Sequence, residues 1–115
     1  GLGRGGAMMA GAYPKSGTQA ARLLSVLLTG LAIGPLNGWR HIGIYRLADT
    51  VLQLRKAGWA VQTARVERDN RFGEQCSFAS YSLPAEMIEA AGEDGQIFAH
   101  HEAEMMASTV RKVAA

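Results

Sequence analysis

The sequence predicts an α+β fold: three helices, then a two- or three-stranded β-hairpin, then an extra C-terminal helix. Up to Gly58 the apolar residues recur at intervals of three and four, which is typical of helices packed on a core. After Gly58 apolar and polar residues alternate over two stretches, which indicates strands. With 115 residues, of which 48% are apolar, the chain is long enough for one modest domain with a single core.

The number of cysteines and the length of the apolar runs indicate the compartment of the protein and whether it can span a membrane. Cys76 is the only cysteine, so the chain can form no internal disulfide and is a poor source of ligands for a structural zinc site. The longest apolar run, residues 23–28, is far shorter than the ~20 residues of a membrane span. We therefore expect a soluble, cytoplasmic protein with no membrane partner.

Charge is unevenly distributed along the chain. Residues 15–83 carry nine basic and four acidic side chains, a net charge of +5, whereas residues 84–115 carry six acidic and two basic ones, a net charge of −4. A basic segment favours an acidic partner such as nucleic acid. The predicted organisation is a basic folded domain over residues 15–83, followed by an acidic helical extension over residues 84–115.

The N-terminal segment, residues 1–14, is rich in glycine and alanine and has no periodicity. Such a composition buries too little apolar surface to offset the entropy lost on ordering, so we expect this segment to be disordered. Gly1, Gly3 and Gly6 have the spacing of a dinucleotide-binding loop, but no strand precedes them. We therefore expect no cofactor.

The first helix is predicted to begin near Ser16, because Ser16 and Gln19 have the spacing of a capping box. It should end at Thr29 or Gly30, and residues 31–33 are expected to form a short strand. The apolar stripe of this helix comprises Ala20, Leu24, Leu27 and Leu28.

A short second helix is predicted to start at Gly34 and Pro35, since proline is tolerated at the first helical position. Its apolar face comprises Leu36, Trp39 and Ile42. Gly43 then turns the chain and Ile44 fills the turn, which is the spacing of a helix-turn-helix.

Residues 43–58 contain the candidate recognition helix with its turn and its stop. At about 100° per residue Leu47, Val51 and Leu54 share one face, and Gly58 supplies the stop. A helix that enters a major groove directs its other side chains at base edges and phosphates. The candidate contact residues are Tyr45, Arg46, Asp49, Thr50, Gln53 and Lys56.

Two strands are predicted over residues 59–67 and 77–83. The second carries Ala79, Tyr81 and Leu83 on one side. The connection, residues 68–75, contains Asp, Asn and Gly and is typical of a long polar hairpin tip, which we call the wing. Arginines on or near the wing would contact phosphate. These candidates are Arg65, Arg68 and Arg71.

The C-terminal extension is predicted to contain two helical parts. Pro84 ends the second strand, residues 85–91 form a short helix, and Gly92 and Gly95 interrupt it before a longer helix over residues 96–113. The apolar stripe of the longer helix comprises Ala99, Ala103, Met106 and Val110. Two partners fit this stripe equally well: the domain itself, or the same helix of a second copy in a homodimer.

A known sequence pattern is also present. The form G-I-x-R-L, six residues, L-R-x-x-G stands here as Gly43, Ile44, Arg46, Leu47, Leu54, Arg55 and Gly58. The chain thereby resembles the winged helix-turn-helix domains common in phage and prophage proteins, over residues 18 to about 83. Leu52 departs from the pattern, in which a polar residue is more usual. The resemblance implies a winged helix fold, which in different proteins binds DNA, RNA or protein.

The expected function is binding of double-stranded DNA, as a transcriptional regulator of the phage or prophage type. Arg46, Thr50 and Gln53 are expected to lie in the major groove, and Arg68 and Arg71 along the backbone.

The alternative is a protein-binding winged helix, such as a phage factor that captures a host protein. The low net charge of +2, Asp49, Leu52 and the acidic tail favour this alternative.

No metal site or enzymatic chemistry is expected. His100 and His101 diverge by about 100° on a helix, and His100 with Glu104 lacks a third ligand. Cys76 has no histidine near it in the sequence and no basic helix terminus that would activate its thiol. The sequence contains no paired carboxylates, phosphate-binding loop or nucleophile–base pair in a structural context that would support catalysis. We therefore expect a protein that is not an enzyme.

Overall fold

The computed structural model describes residues 10–34, 42–44 and 46–114, with side chains as far as Val110, and confirms the α+β architecture. Its elements are α1 (Gln19–Leu28), α2 (Leu47–Lys56), β1 (Gln62–Asp69), β2 (Gln75–Ser82) and α3 (Ala85–Ala114). The strands form one antiparallel hairpin, and α1 packs against both α2 and α3. Within these ranges, no helix combines the length and the apolar character needed to cross a membrane.

α1 begins later than predicted because its cap is Thr18 and not Ser16. The Thr18 hydroxyl accepts a hydrogen bond from the Ala21 N–H at 3.2 Å. Ser16 instead donates to Glu102 Oε2 of α3 at 2.6 Å, a partner that local spacing could not indicate. The helix ends as predicted, with Gly30 at φ +89° just beyond it.

The predicted second helix lies mostly outside the described residues, and Leu36 and Trp39 are among those not described. Ile42 is buried, and its carbonyl accepts from Arg22 Nε at 2.8 Å. Gly43 follows at φ +68° and Ile44 is fully buried. Arg22 therefore ties α1 to the turn that precedes α2.

α2 buries the predicted stripe of Leu47, Val51 and Leu54. It ends at Lys56, and Gly58, two residues further on, has a φ of +105°, which glycine adopts without strain. The next residue, Trp59, is fully buried and donates its backbone N–H to the Leu54 carbonyl at 3.0 Å. Trp59 thus belongs to the core beneath α2 and not to the strand in which it was predicted.

The hairpin extends further toward its tip than predicted. β1 and β2 remain paired up to Asp69 opposite Gln75, so the connection shrinks to residues 70–74. On the predicted inner side of β2, Tyr81 and Leu83 are buried and Ala79 is half-buried. The third strand expected at residues 31–33 is reduced to one bridge, between Ile33 and Tyr81.

α3 is broken where predicted, at Gly92, whose φ of 55° and ψ of −139° are not helical. Gly95 does not break the helix. A Cβ at Gly95 would lie 2.7 Å from the Ala91 Cβ and 3.4 Å from Leu28 Cδ2. The missing side chain therefore allows α3 to approach α1 closely.

The apolar stripe predicted for α3 is only partly correct. Ala99 is buried and Met106 half-buried, but Ala103 and Val110 are exposed. The buried face is rotated relative to the prediction, because Glu102, with 1% exposure, points inward. α3 therefore packs on its own domain through Ala99 and Glu102, and the domain itself is one of the two partners considered for this helix.

The expectation of disorder over residues 1–14 is wrong for residues 10–14, whereas residues 1–9 lie outside the described residues. The Ala12 N–H donates to the Ala57 carbonyl at 2.8 Å, and Trp59 Nε1 donates to the Ala12 carbonyl at 2.8 Å. The Tyr13 ring lies 5.3 Å from the Trp59 ring and 4.9 Å from the Phe98 ring. Long-range contacts therefore order a segment that lacks any periodicity.

Candidate nucleic-acid interface

The N-terminal end of α2 carries an exposed ion pair. Arg46 occupies the N-cap position, and its side chain makes no capping hydrogen bond. Its Nε lies 3.1 Å from Asp49 Oδ2, and both side chains are exposed. An exposed pair of this kind contributes little to stability, typically about 0–1 kcal/mol. Arg46 can therefore exchange Asp49 for a phosphate at small cost.

A line of polar residues continues along α2. Asp49, Gln53 and Lys56 are spaced by four and three residues and are all exposed, so they lie along one side of the helix. Leu52 is exposed beside this line. The outward side of α2 thus carries hydrogen-bonding groups of both signs and one apolar side chain.

One predicted contact residue, Thr50, is not on this exposed line. Thr50 is only 3% exposed, and its hydroxyl donates to the Arg46 carbonyl at 3.3 Å. The prediction that Thr50 lies in the major groove is wrong for this structure, because the residue marginal to the apolar stripe turns inward. Tyr45 lies outside the described residues.

Arg55 joins α2 to the start of the β-hairpin that carries the wing. Its Nε and Nη2 donate to the Val61 carbonyl at 3.1 and 2.8 Å, and Nη2 also donates to Thr63 Oγ1 at 2.8 Å. A guanidinium group with several parallel hydrogen bonds fixes geometry as well as adding binding energy. The wing therefore has a defined position relative to the last turn of α2.

The wing arginines do not lie on one face. Successive side chains of a strand point to opposite faces, so Arg65 shares a face with Glu67 and Asp69, whereas Arg68 lies on the other face. Arg71 is in the exposed tip. In the part of the chain that the structure describes, no carboxylate lies within 4.0 Å of these three guanidinium groups. Arg68 and Arg71 thus form the more favourable environment for phosphate.

Asn70 organises the tip of the wing. Its Oδ1 accepts from the Phe72 and Glu74 N–H groups at 2.9 and 3.0 Å, and Gly73 follows at φ +77°. This turn holds Phe72 with 79% of its surface exposed. Sequence reasoning missed Phe72, although one apolar residue in an otherwise polar connection was a readable signal.

The remaining titratable residues serve the fold or lie at the surface. Glu102, also missed from the sequence, accepts from Ser16 Oγ at 2.6 Å and from the Gly17 N–H at 3.0 Å. His100 lies 3.7 Å from Glu104 in an exposed pair. Cys76 is a free, half-buried thiol. Among the residues whose positions are described, no cluster of His, Cys, Asp and Glu could hold a metal ion.

Comparison with known proteins agrees with this geometry. The family model described as "Winged helix-turn-helix domain" matches residues 18–86, which is more than half of the 115-residue chain and includes α1, α2 and both strands. Searches of the curated proteins and of the solved structures gave no match. The helices, the antiparallel wing and the matched span lead to one conclusion: the chain belongs to the winged helix-turn-helix domain family.

Proposed function

We propose that this domain binds double-stranded DNA, with α2 in the major groove and the wing on the backbone. The observation that carries the proposal is that exposed cations occur on both elements: Arg46 and Lys56 on α2, and Arg68 and Arg71 on the wing. Cations in such positions bind phosphate and release counterions from the duplex. The role we propose is a transcriptional regulator of the phage or prophage type, acting on DNA in the cytoplasm.

Base contacts are assigned to Arg46 and Gln53. Arg46 can donate two hydrogen bonds to guanine, and the Gln53 amide can pair with adenine. Asp49 repels phosphate, but its carboxylate can accept from a cytosine amino group. The exposed Arg46–Asp49 pair therefore favours some sequences over others and weakens indiscriminate binding.

Backbone contacts are assigned to Arg68 and Arg71. Arg65 is a poorer candidate, because Glu67 and Asp69 lie on the same face of β1 and repel phosphate. Arg55 fixes the wing beside α2, so both elements can approach one duplex together.

Titration of a mixed-sequence duplex at low salt tests the proposal. We expect micromolar dissociation constants at low salt. The logarithm of the association constant should fall by about 0.9 per phosphate contact for each tenfold increase in salt concentration. Absence of binding at about 50 µM protein would overturn DNA binding, since non-specific binding by a duplex-binding protein is tighter than this at low salt.

Substitutions on α2 and on the wing separate the two kinds of contact. Arg68→Ala and Arg71→Ala should weaken binding to all sequences alike and each lower the salt slope by about one. Arg46→Ala and Gln53→Ala should mainly reduce discrimination between sequences. Thr50→Val is the matched control on α2, since this buried side chain should not affect binding. Equal effects at all four arginine and glutamine positions contradict the division of roles.

A second function, docking of a protein, is favoured by two exposed apolar side chains, Leu52 on α2 and Phe72 on the wing. If the domain binds a protein, Leu52→Lys should abolish capture of that partner after nuclease treatment, while Arg71→Ala should leave capture intact. If the domain binds DNA, Arg71→Ala should have the larger effect on retention by duplex DNA.

A further inference from the structure

β1 is the outer strand of the hairpin, and every second residue directs its backbone polar groups away from β2. Ile33 exchanges both backbone hydrogen bonds with Tyr81 at 2.9 Å, so the Tyr81 N–H and C=O point away from β1. Thr63 lies opposite Tyr81, and in an antiparallel ladder the bonded and non-bonded pairs alternate. In residues 10–34, 42–44 and 46–114 no other strand pairs with this side of β1, so the odd-numbered residues from Thr63 to Asp69 present N–H and C=O groups to what we call the open edge.

This open edge is bounded at both ends. Arg55 occupies the Val61 carbonyl and the Thr63 hydroxyl at one end, and the turn that begins at Asn70 closes the other. Between these limits the side chains of β1 are exposed, apart from the half-buried Val66. The edge is long enough to accept another strand.

We propose that two copies of this chain pair antiparallel through the open edges of β1, with a two-fold axis at Val66. Because the outward groups belong to odd-numbered residues, the central two-fold registers are those with the axis at Arg65, Val66 or Glu67. The first places Arg65 opposite itself. The third places Glu67 opposite itself, although it also pairs Arg65 with Asp69 of the second copy. Like charges directly opposite are destabilising. The Val66 register places Arg65 opposite Glu67 of the second copy, twice.

The other contacts in this register also agree. Asp69 of the second copy lies opposite Thr63, whose hydroxyl is bound to the Arg55 guanidinium. Arg68 lies opposite Ala64, a small side chain that leaves the guanidinium free. The two Arg65–Glu67 pairs are therefore complementary, and no like charges lie opposite one another elsewhere along the open edge.

Apolar surface supports the same register. Val66 lies opposite Phe78 on the even-numbered face of the hairpin, and Phe78 is 40% exposed. With the axis at Val66 the two valines form a non-hydrogen-bonded pair, about 4.5 Å apart at Cα. The two valines and two phenylalanines then form one apolar strip across a four-stranded sheet. Pairing thereby covers apolar surface of Val66 and Phe78 that is exposed in the single chain.

Charges on an outer strand more often keep other strands away. Here the signs alternate around Val66, so of the three central registers the one with its axis at Val66 alone places no like charges opposite one another. The proposal is independent of DNA binding, and its test contains no DNA.

Charge exchange tests the register. Arg65→Glu and Glu67→Arg should each raise the dissociation constant of the dimer about tenfold or more, because each places like charges opposite one another at two symmetric positions. The double variant, Arg65→Glu with Glu67→Arg, should restore the dimer. Analytical ultracentrifugation across a concentration series measures all four proteins. A chain that remains monomeric, or a dimer unaffected by either single substitution, overturns the proposal.

Disulfide trapping gives a second measurement. In a Cys76→Ser background, Val66→Cys should form a covalent dimer under mild oxidation, because the two positions lie within the range of a disulfide. Asp69→Cys is the matched control on the same strand, since its two copies would be about 20 Å apart, six residues at ~3.4 Å each. Equal trapping at both positions, or trapping at Asp69 alone, contradicts the axis at Val66.

Discussion

Glu102 is an acidic residue held inside the protein by two donors from the segment that precedes α1. Ser16 Oγ and the Gly17 N–H both donate to its carboxylate, and the side chain is 1% exposed. Glu102→Ala removes two hydrogen bonds to a buried side chain, whereas the donors belong to exposed residues and can turn to water. We therefore expect the free energy of unfolding to fall by about 1–2 kcal/mol, measured by chemical denaturation.

Glu104 supplies the control for this prediction, since it lies two residues away on the same helix and is exposed. Glu104→Ala should change the free energy of unfolding by no more than about 0.5 kcal/mol. Glu102→Gln retains one acceptor oxygen, so its free energy of unfolding should fall by less than that of Glu102→Ala. Equal losses at positions 102 and 104 would show that the buried contact is not stabilising.

Arg55 acts between elements, because it belongs to α2 and binds the backbone of the chain that enters β1. Arg55→Ala should release the wing from its position and weaken DNA binding. If Arg55 only positions the wing, the salt dependence of binding should keep its slope, whereas loss of a direct phosphate contact lowers the slope by about one. A lowered slope would therefore assign Arg55 to the interface itself.

α3 divides into a part that belongs to the core and a part that does not. Ala99 and Glu102 are buried, whereas Ala107, Thr109 and Val110 are exposed. Removal of residues 107–115 should leave the thermal midpoint nearly unchanged, while removal of residues 96–115 should unfold the domain. Circular dichroism of the two truncated chains measures this difference. A folded protein without residues 96–115 would contradict the packing of α3 on α1.

Periodicity was sufficient to predict the elements whose partners are close in sequence. The stripe of Leu47, Val51 and Leu54 is a local pattern and is buried as predicted. On the inner side of β2, also a local pattern, Tyr81 is buried and Ala79 half-buried. The face of α3 and the order of residues 10–14 depend on partners far along the chain. Local spacing cannot predict the hydrogen bond between Ser16 and Glu102, which are 86 residues apart, or the hydrogen bond between Ala12 and Trp59.

The predicted contact residues show the same division. Exposure of Arg46, Gln53 and Lys56 follows from the apolar stripe of α2, which fixes the opposite side. Thr50 lies at the margin of that stripe, where the packing of α2 on the core decides burial, and periodicity alone does not predict it. The opposite faces of Arg65 and Arg68 follow from strand alternation once β1 is known to extend to Asp69.

Tyr13 connects three parts of the whole molecule: the N-terminal segment, Trp59 after α2, and Phe98 of α3. Burial raises the pKa of the Tyr13 hydroxyl above 10.0, and the negative charge of Asp94 raises this pKa further. The folded state thus retains the proton more strongly than the unfolded state does. Below pH 10 the hydroxyl is neutral in both states, and above it the unfolded state loses its proton first.

The stability of the whole domain should therefore decrease as the pH rises through the pKa of folded Tyr13. Tyr13→Phe retains both ring contacts and removes the titrating group, so the variant should lose less stability than the parent protein between neutral pH and about pH 11. Comparing the two proteins at each pH cancels the titration of the other groups. Urea denaturation measures both. A difference in the free energy of unfolding that stays constant with pH would contradict the raised pKa, because only a group titrating differently in the two states makes that difference change.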